Sequence, residues 1–169
     1  MILLKIIWFF LPAYAANMTA SLFKIKILAK PISEKIFGSH KTYSGFLVGT
    51  ILAILMAILQ KFLFSFSFFQ KISYLDYSKN FLLIGFLLGF GALFGDLIKS
   101  FFKRRVGIAP GQRWIPFDQI DYTCGALIFI SFFWLPPFEF ILISLILNFF
   151  LHIFINHFGF WFGIRKSPW

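Results

Sequence analysis

FLLIGFLLGFGALFGDLIKSFFKRR, residues 81–105, decides the fold in one run. Its first fifteen residues carry no charge, whereas its last ten hold Asp96, Lys99, Lys103, Arg104 and Arg105. The apolar part, read over 80–102, meets the roughly 20 residues that a helix needs to cross bilayer hydrocarbon. Outward from it lie further apolar runs at 2–23, 43–69, 121–136 and 137–158. Only WLPPFEF, 134–140, separates the last two, and tandem prolines beside Glu139 suit a very tight turn. With 60% hydrophobic, 22% aromatic and only 13% charged residues, the 169-residue chain cannot surround an aqueous globule. The expectation is an all-α integral membrane protein. It is one domain over 1–169, a single polytopic bundle of about five transmembrane helices with short loops.

Basic residues set the orientation. The first run contains AYAAN, 13–17, which has the small residues of a secretory cleavage site. Retaining it as a helix with its N-terminus outside puts Lys24, Lys26, Lys30, Lys35 and Lys41 inside. Lys99, Lys103, Arg104, Arg105 and Arg113 follow on that side, then Arg165 and Lys166. Twelve of the sixteen basic residues then lie inside and only Lys5, Lys61, Lys71 and Lys79 outside, as the positive-inside rule requires. The C-terminus is accordingly cytoplasmic. The net charge of +10 needs no nucleic acid as partner, because topology and anionic headgroups account for it. Cys124, alone in the chain, excludes an internal disulfide and reads as a small packing residue.

Asp96, Lys99, Ser100 and Lys103 fall at i, i+3, i+4 and i+7, one helical face. Gly85, Gly89, Gly91 and Gly95 on the same helix form two small-xxx-small pairs, which pack helices closely and would also permit a homodimer. A carboxylate at the end of an apolar span is costly unless it is paired, hydrogen-bonded or metal-bound. Asp96 has Lys99 or Lys103 as local ion-pair partners, or a functional use. Asp118 and Asp121 open the next helix after Pro116, where helix capping accounts for one of them. It does not account for three of six acidic residues at one membrane face, the others being Glu34, Asp76 and Glu139. Three carboxylates beside five cations make chemical sense around something metal-bound and strongly anionic. A phosphate with Mg²⁺ fits, since Mg²⁺ takes carboxylate and phosphate oxygens while Lys and Arg neutralise the rest.

Lys99-Ser100, Lys103-Arg104-Arg105, Gly107, Gly111, Asp118-Gln119, Asp121 and Gly125-Ala126, in that order and spacing, resemble the long motif of the CDP-archaeol synthases, relatives of the CDP-diacylglycerol synthases. PAYAAN (12–17), GSHKTYSG (38–45) and the stretch from His152 to Trp169 are similar to that family too, so the resemblance spans nearly the whole chain. The diacylglycerol branch's histidine-containing stretch is replaced here by WIPFDQID, which favours the ether-lipid branch.

The resemblance implies a cytidylyltransferase of the cell membrane that joins CTP to an unsaturated diether glycerol phosphate, with Mg²⁺ as cofactor and a cytoplasmic active site. It would make CDP-archaeol and pyrophosphate. On that reading Asp118 and Asp121 hold the metal, Asp96 completes the site, and Lys103, Arg104 and Arg105 bind phosphates. Lys99, Ser100 and Gln119 belong to the same motif and join the substrate-binding set. Lys41 and Thr42 offer a cation and a hydroxyl to a phosphate, and Asn17 lines the site from the first helix. His152 and Asn156, i and i+4, are spaced to bond each other. Two alternatives stay open: the same chemistry on phosphatidate, and a non-catalytic membrane scaffold or transporter.

Overall fold

The computed structural model describes residues 1–22, 30–109 and 112–163. Lys24, Lys26, Gly111, Arg165, Lys166 and the closing Pro168-Trp169 lie outside the described residues. The described residues form seven helices: α1 (Ile2–Leu22), α2 (Glu34–Phe37), α3 (Tyr43–Leu63), α4 (Ser67–Lys71), α5 (Tyr77–Arg105), α6 (Phe117–Ile130) and α7 (Phe138–Trp161). Among the described residues β pairing is confined to an isolated bridge between Pro31 and Thr42.

Five of these helices coincide with the five apolar runs, with shifted ends. The run expected over 43–69 stops at Leu63, and α4 is a separate short turn. Helix α5 is longer than its apolar part: 29 residues, about 43 Å at 1.5 Å per residue, so its last turns carry the basic cluster beyond the hydrocarbon. Among the described residues three helices, α3, α5 and α7, are long and apolar enough to cross a membrane. Helix α6 has 14 residues, about 21 Å against a hydrocarbon core of about 30 Å. As the prolines require, α6 ends before the 134–140 break, and Pro137 caps α7.

Faces divide by residue size. On α3, Gly45, Gly49, Ala53 and Ala57 are buried at four-residue spacing, whereas Leu47, Ile51, Leu55 and Leu59 are exposed. The pattern repeats on α7: Phe140, Ser144, Asn148 and Asn156 face inward and Ile146, Phe150, Phe154 and Phe158 outward. With lipid as solvent, hydrophobicity does not drive helices together. Small residues and hydrogen bonds take that role, and large apolar side chains face the tails. Asn148 shows the polar part: its Oδ1 accepts from Tyr14 (2.6 Å) and Tyr122 (3.1 Å), and its Nδ2 donates to the Ser144 carbonyl (2.8 Å). This tie among α1, α6 and α7 had no signal in residue spacing.

Helix α5 is the axis, packed on α1, α3 and α6. Its glycines serve two neighbours. A Cβ at Gly85 or Gly89 would stand 2.6 or 2.1 Å from Ala57 Cβ and Ala53 Cβ on α3. One at Gly91 or Gly95 would stand 2.6 or 2.3 Å from the carbonyls of Gly125 and Asp121 on α6. The small-xxx-small pairs are therefore consumed inside the bundle, and the reason they offered for a homodimer is gone.

Candidate active site

The Gly91–Gly95 contact brings Asp121 to the charged face of α5. Asp96, Lys99, Ser100 and Lys103 share that face as their spacing requires. Helix α6 enters with Asp118 in its first turn and Asp121 one turn later. A third component comes from the 30–42 loop. Ile32 N donates to Lys41 O (2.8 Å) and Tyr43 N to Lys30 O (3.2 Å), which fixes Lys41 beside α5.

Lys99 is the hub. Its Nζ lies 3.0 Å from Asp96 Oδ1, 2.9 Å from Asp118 Oδ1 and 2.9 Å from Asp121 Oδ2. Lys41 pairs with the other oxygen of Asp96. Lys103 Nζ reaches Asp118 Oδ2 at 2.9 Å and the Gln112 carbonyl at 2.5 Å. Backbone amides complete the set: Trp114 N donates to Asp118 Oδ2 and Tyr122 N to Asp121 Oδ1, both at 2.6 Å. The local pair expected between Asp96 and Lys99 forms, and Lys41, from 55 residues away, adds to it. Burying charges costs several kcal/mol each unless partners and hydrogen bonds are in place. Here three lysines face three aspartates.

Asp96, Asp118 and Asp121 do converge, but around the Lys99 ammonium, and all six of their oxygens already accept from a lysine or an amide. Among the described residues no group of three or more His, Cys, Asp or Glu is disposed to hold a metal ion. The donors have the hard-oxygen chemistry of Mg²⁺. The geometry does not fit an ion caged by the aspartates alone, and leaves room only for one that brings most of its ligands with it.

Two cavities meet at Lys99. A polar one of about 230 Å³ is lined by His40, Lys41, Lys99, Ser100, Lys103 and Arg104 among others. Arg104 buries Nε and Nη1 there without a hydrogen-bond partner, an unsatisfied cation that an anion would satisfy. An apolar one of about 470 Å³ lies between α5 and α6, lined by Phe94, Ile98, Phe102, Trp114, Cys124 and Ile128, with Lys99 and Asp121 in its wall.

Other expected residues stand apart. Arg105 is exposed, its guanidinium 5.1 Å from the centre of the Phe101 ring, so it does not join Arg104. Thr42 is committed as the cap of α3: its Oγ1 accepts from Gly45 N at 3.1 Å. Ser100 lines the polar cavity while its Oγ donates to Asp96 O at 2.8 Å. Gln119 is buried with Oε1 unpartnered, away from both cavities. Asn17, half-buried in α1, is not tied into the ion network. His152 and Asn156 do meet, at 3.3 Å. Sequence reasoning missed Gln112, which contributes a backbone carbonyl, and His40; a carbonyl in an irregular loop has no residue-type signature.

Comparison with known proteins agrees with the motif. The CDP-archaeol synthase (CarS-like) family profile matches residues 1–169. The CDP-archaeol synthase of Methanococcoides burtonii is 36% identical over 175 residues, covering 94% of this chain and 99% of that protein. That of Archaeoglobus fulgidus is 35% identical over 182 residues, covering 99% and 98%. A solved structure described as an intramembrane enzyme for archaeal membrane lipids biosynthesis has the same fold: its TM-score is 0.66 at 24% identity, over 89% of this chain and 91% of that one. The chain belongs to the CDP-archaeol synthase family.

Proposed function

We propose that the chain transfers the cytidylyl group of CTP to an unsaturated diether glycerol 1-phosphate, giving CDP-archaeol and pyrophosphate. Family membership supports the reaction, and one observation carries its placement: a cationic cavity adjoins an apolar one at Lys99. The triphosphate belongs in the first, facing Lys41, Lys103 and Arg104. A hydrocarbon chain of the lipid belongs in the second, between α5 and α6, with its phosphate toward the polar cavity.

An oxygen of the lipid phosphate attacks the α-phosphorus of CTP, and the bond to pyrophosphate breaks in line. That phosphate is ionised near neutral pH, so no proton needs removal and no protein nucleophile is required. The residues hold two anions together and offset their repulsion, a task of positioning and electrostatics. Mg²⁺ enters as the counter-ion of the triphosphate, with Asp118, the most exposed of the three aspartates, as the carboxylate that would add a ligand; when bound it would draw charge from the leaving pyrophosphate.

The site lies at the cytoplasmic surface of the cell membrane in this reading, with five spans and the N-terminus outside. CTP arrives from water while the lipid tails stay in the bilayer. The test is pyrophosphate release and lipid-product mass from the purified protein with CTP and Mg²⁺, offered the diether phosphate or phosphatidate. A nucleotide-lipid from the diether establishes the reaction and the branch. Product from phosphatidate alone would move the chain to the ester-lipid chemistry, and no product from either lipid would leave a scaffold.

A further inference from the structure

We propose that the Lys99 ammonium is a built-in monovalent cation: a positioning residue that locks Asp96, Asp118 and Asp121 together, and not a contact to substrate phosphate. An ammonium has three N–H donors and no acceptor. At Lys99 three carboxylates, one on its own helix and two on α6, each stand 2.9–3.0 Å from Nζ. That uses all three donors and leaves none for a phosphate. Lys103 spends its donors on Asp118 and the Gln112 carbonyl, whereas Arg104 keeps Nε and Nη1 unpartnered. Phosphate contact thus falls to Arg104 and to Lys41, which gives one donor to Asp96, and Lys99 has a different task.

That task follows from its place. At Gly91, Gly95 and Gly125 the two helices touch backbone to backbone. Phe129 of α6 packs against Phe90 and Phe94 of α5 at the apolar end of this contact, and at its charged end, one turn beyond Gly95, the register of α6 on α5 is held by Lys99. It also forms the partition between the polar and apolar cavities. Losing the ammonium leaves three carboxylates facing a hole of about the size of an ammonium ion. Potassium and ammonium ions, singly charged and of similar size, are the ligands such a hole takes.

The kinetic readout rests on the proposed cytidylyl transfer; a second readout does not. Lys99→Ala and the isosteric Lys99→Met are compared with the parent in KCl, NH₄Cl and choline chloride at equal ionic strength. In choline, Lys99→Ala loses about 10²-fold in kcat, the scale expected of misplaced groups, with KM for CTP unchanged. Potassium or ammonium restores at least a tenth of the loss for Lys99→Ala, and nothing for Lys99→Met, whose side chain still fills the space. Without substrates, the melting temperature of Lys99→Ala rises with KCl over choline, as for any ligand that binds only the folded state, while the parent's does not.

Equal melting of Lys99→Ala in both salts overturns the inference. So does a loss seen as raised KM for CTP with no difference between salts, which would make Lys99 a phosphate ligand. A parent inactive on every lipid would sink the proposed reaction alone, and the salt-dependent melting would still decide the role of Lys99.

Discussion

Neighbouring arginines separate the residue-scale claims. Arg104 borders the polar cavity with unsatisfied donors, whereas Arg105 lies exposed on Phe101. Hydrogen bonds to charged groups contribute about 1.5–3 kcal/mol each, so Arg104→Met should lower kcat/KM for CTP by about 30-fold, the equivalent of about 2 kcal/mol. Arg105→Met should stay within about twofold, as exposed charges do. Initial rates against CTP at fixed lipid give both numbers, and equal losses would mean that the cavity is not the triphosphate site. For the aspartates, removing one partner of a buried ion network costs about 3–5 kcal/mol. Asp121 has a side chain 6% exposed against 19% for Asp118. Thermal melting of Asp121→Asn should therefore fall further than that of Asp118→Asn. The motif exposed all of these residue types to a reader of the sequence, and helical spacing placed Asp96, Lys99 and Lys103 on one face. It could not say which of two adjacent arginines turns inward, because that depends on where the 30–42 loop packs. Nor could it say that a lysine would take the place expected for a metal: spacing shows that charges are near one another, not which one sits in the middle.

Between elements, the α5–α6 contact does two things, and separate substitutions test them. Backbone contact at Gly125 sets the ion network: a Cβ there would stand 2.1 Å from the Gly91 carbonyl and 2.8 Å from Gly95 Cα. Gly125→Val should push the helices apart, lower stability by about 1–3 kcal/mol as overpacking does, and abolish turnover by moving Asp118 and Asp121 away from Lys99. Melting and turnover measured together check it; full activity with normal melting would show that the close approach is not needed. On the membrane side of the same contact, Ile128 is 59% exposed at the mouth of the apolar cavity. Ile128→Trp should raise KM for long-chain lipid phosphate about tenfold, the scale of a few lost methylene burials, and leave short-chain lipid phosphates and CTP unaffected. The same shift for short chains would place the lipid elsewhere, the α3–α5 cavity around Phe46 and Phe90 being another apolar space. Apolar runs announced the five long helices, and tandem prolines the break before α7. Which helices would flank a lipid chain was not legible, because residues facing lipid and residues facing a lipid-filled cavity have the same chemistry.

For the whole molecule the question is how many helices cross, and α6 decides it. At about 21 Å, 14 residues fall short of the hydrocarbon thickness, yet α6 is followed by exposed Phe132 and Leu135, apolar enough to continue through the bilayer. Since Cys124 is the only cysteine, a Cys124→Ser background makes any introduced cysteine a single reporter. Lys35 in α2, Lys71 in α4 and Leu135 before α7 are exposed and lie in the first, second and fourth connections between the long helices. If α6 spans, a membrane-impermeant maleimide added to intact cells should label Lys71→Cys and Leu135→Cys, while Lys35→Cys reacts only after permeabilisation. Labelling of Leu135→Cys only after permeabilisation would make α6 re-entrant. Helix α7 would then run outward and the C-terminus would end outside, carrying Arg165 and Lys166 against the positive-inside rule. That cost argues for the five-span arrangement. A short α6 is tolerable within it because polar Asp118, Gln119 and Asp121 at its start face other helices and not lipid, so only its apolar length and the Phe132–Leu135 turn need match the hydrocarbon.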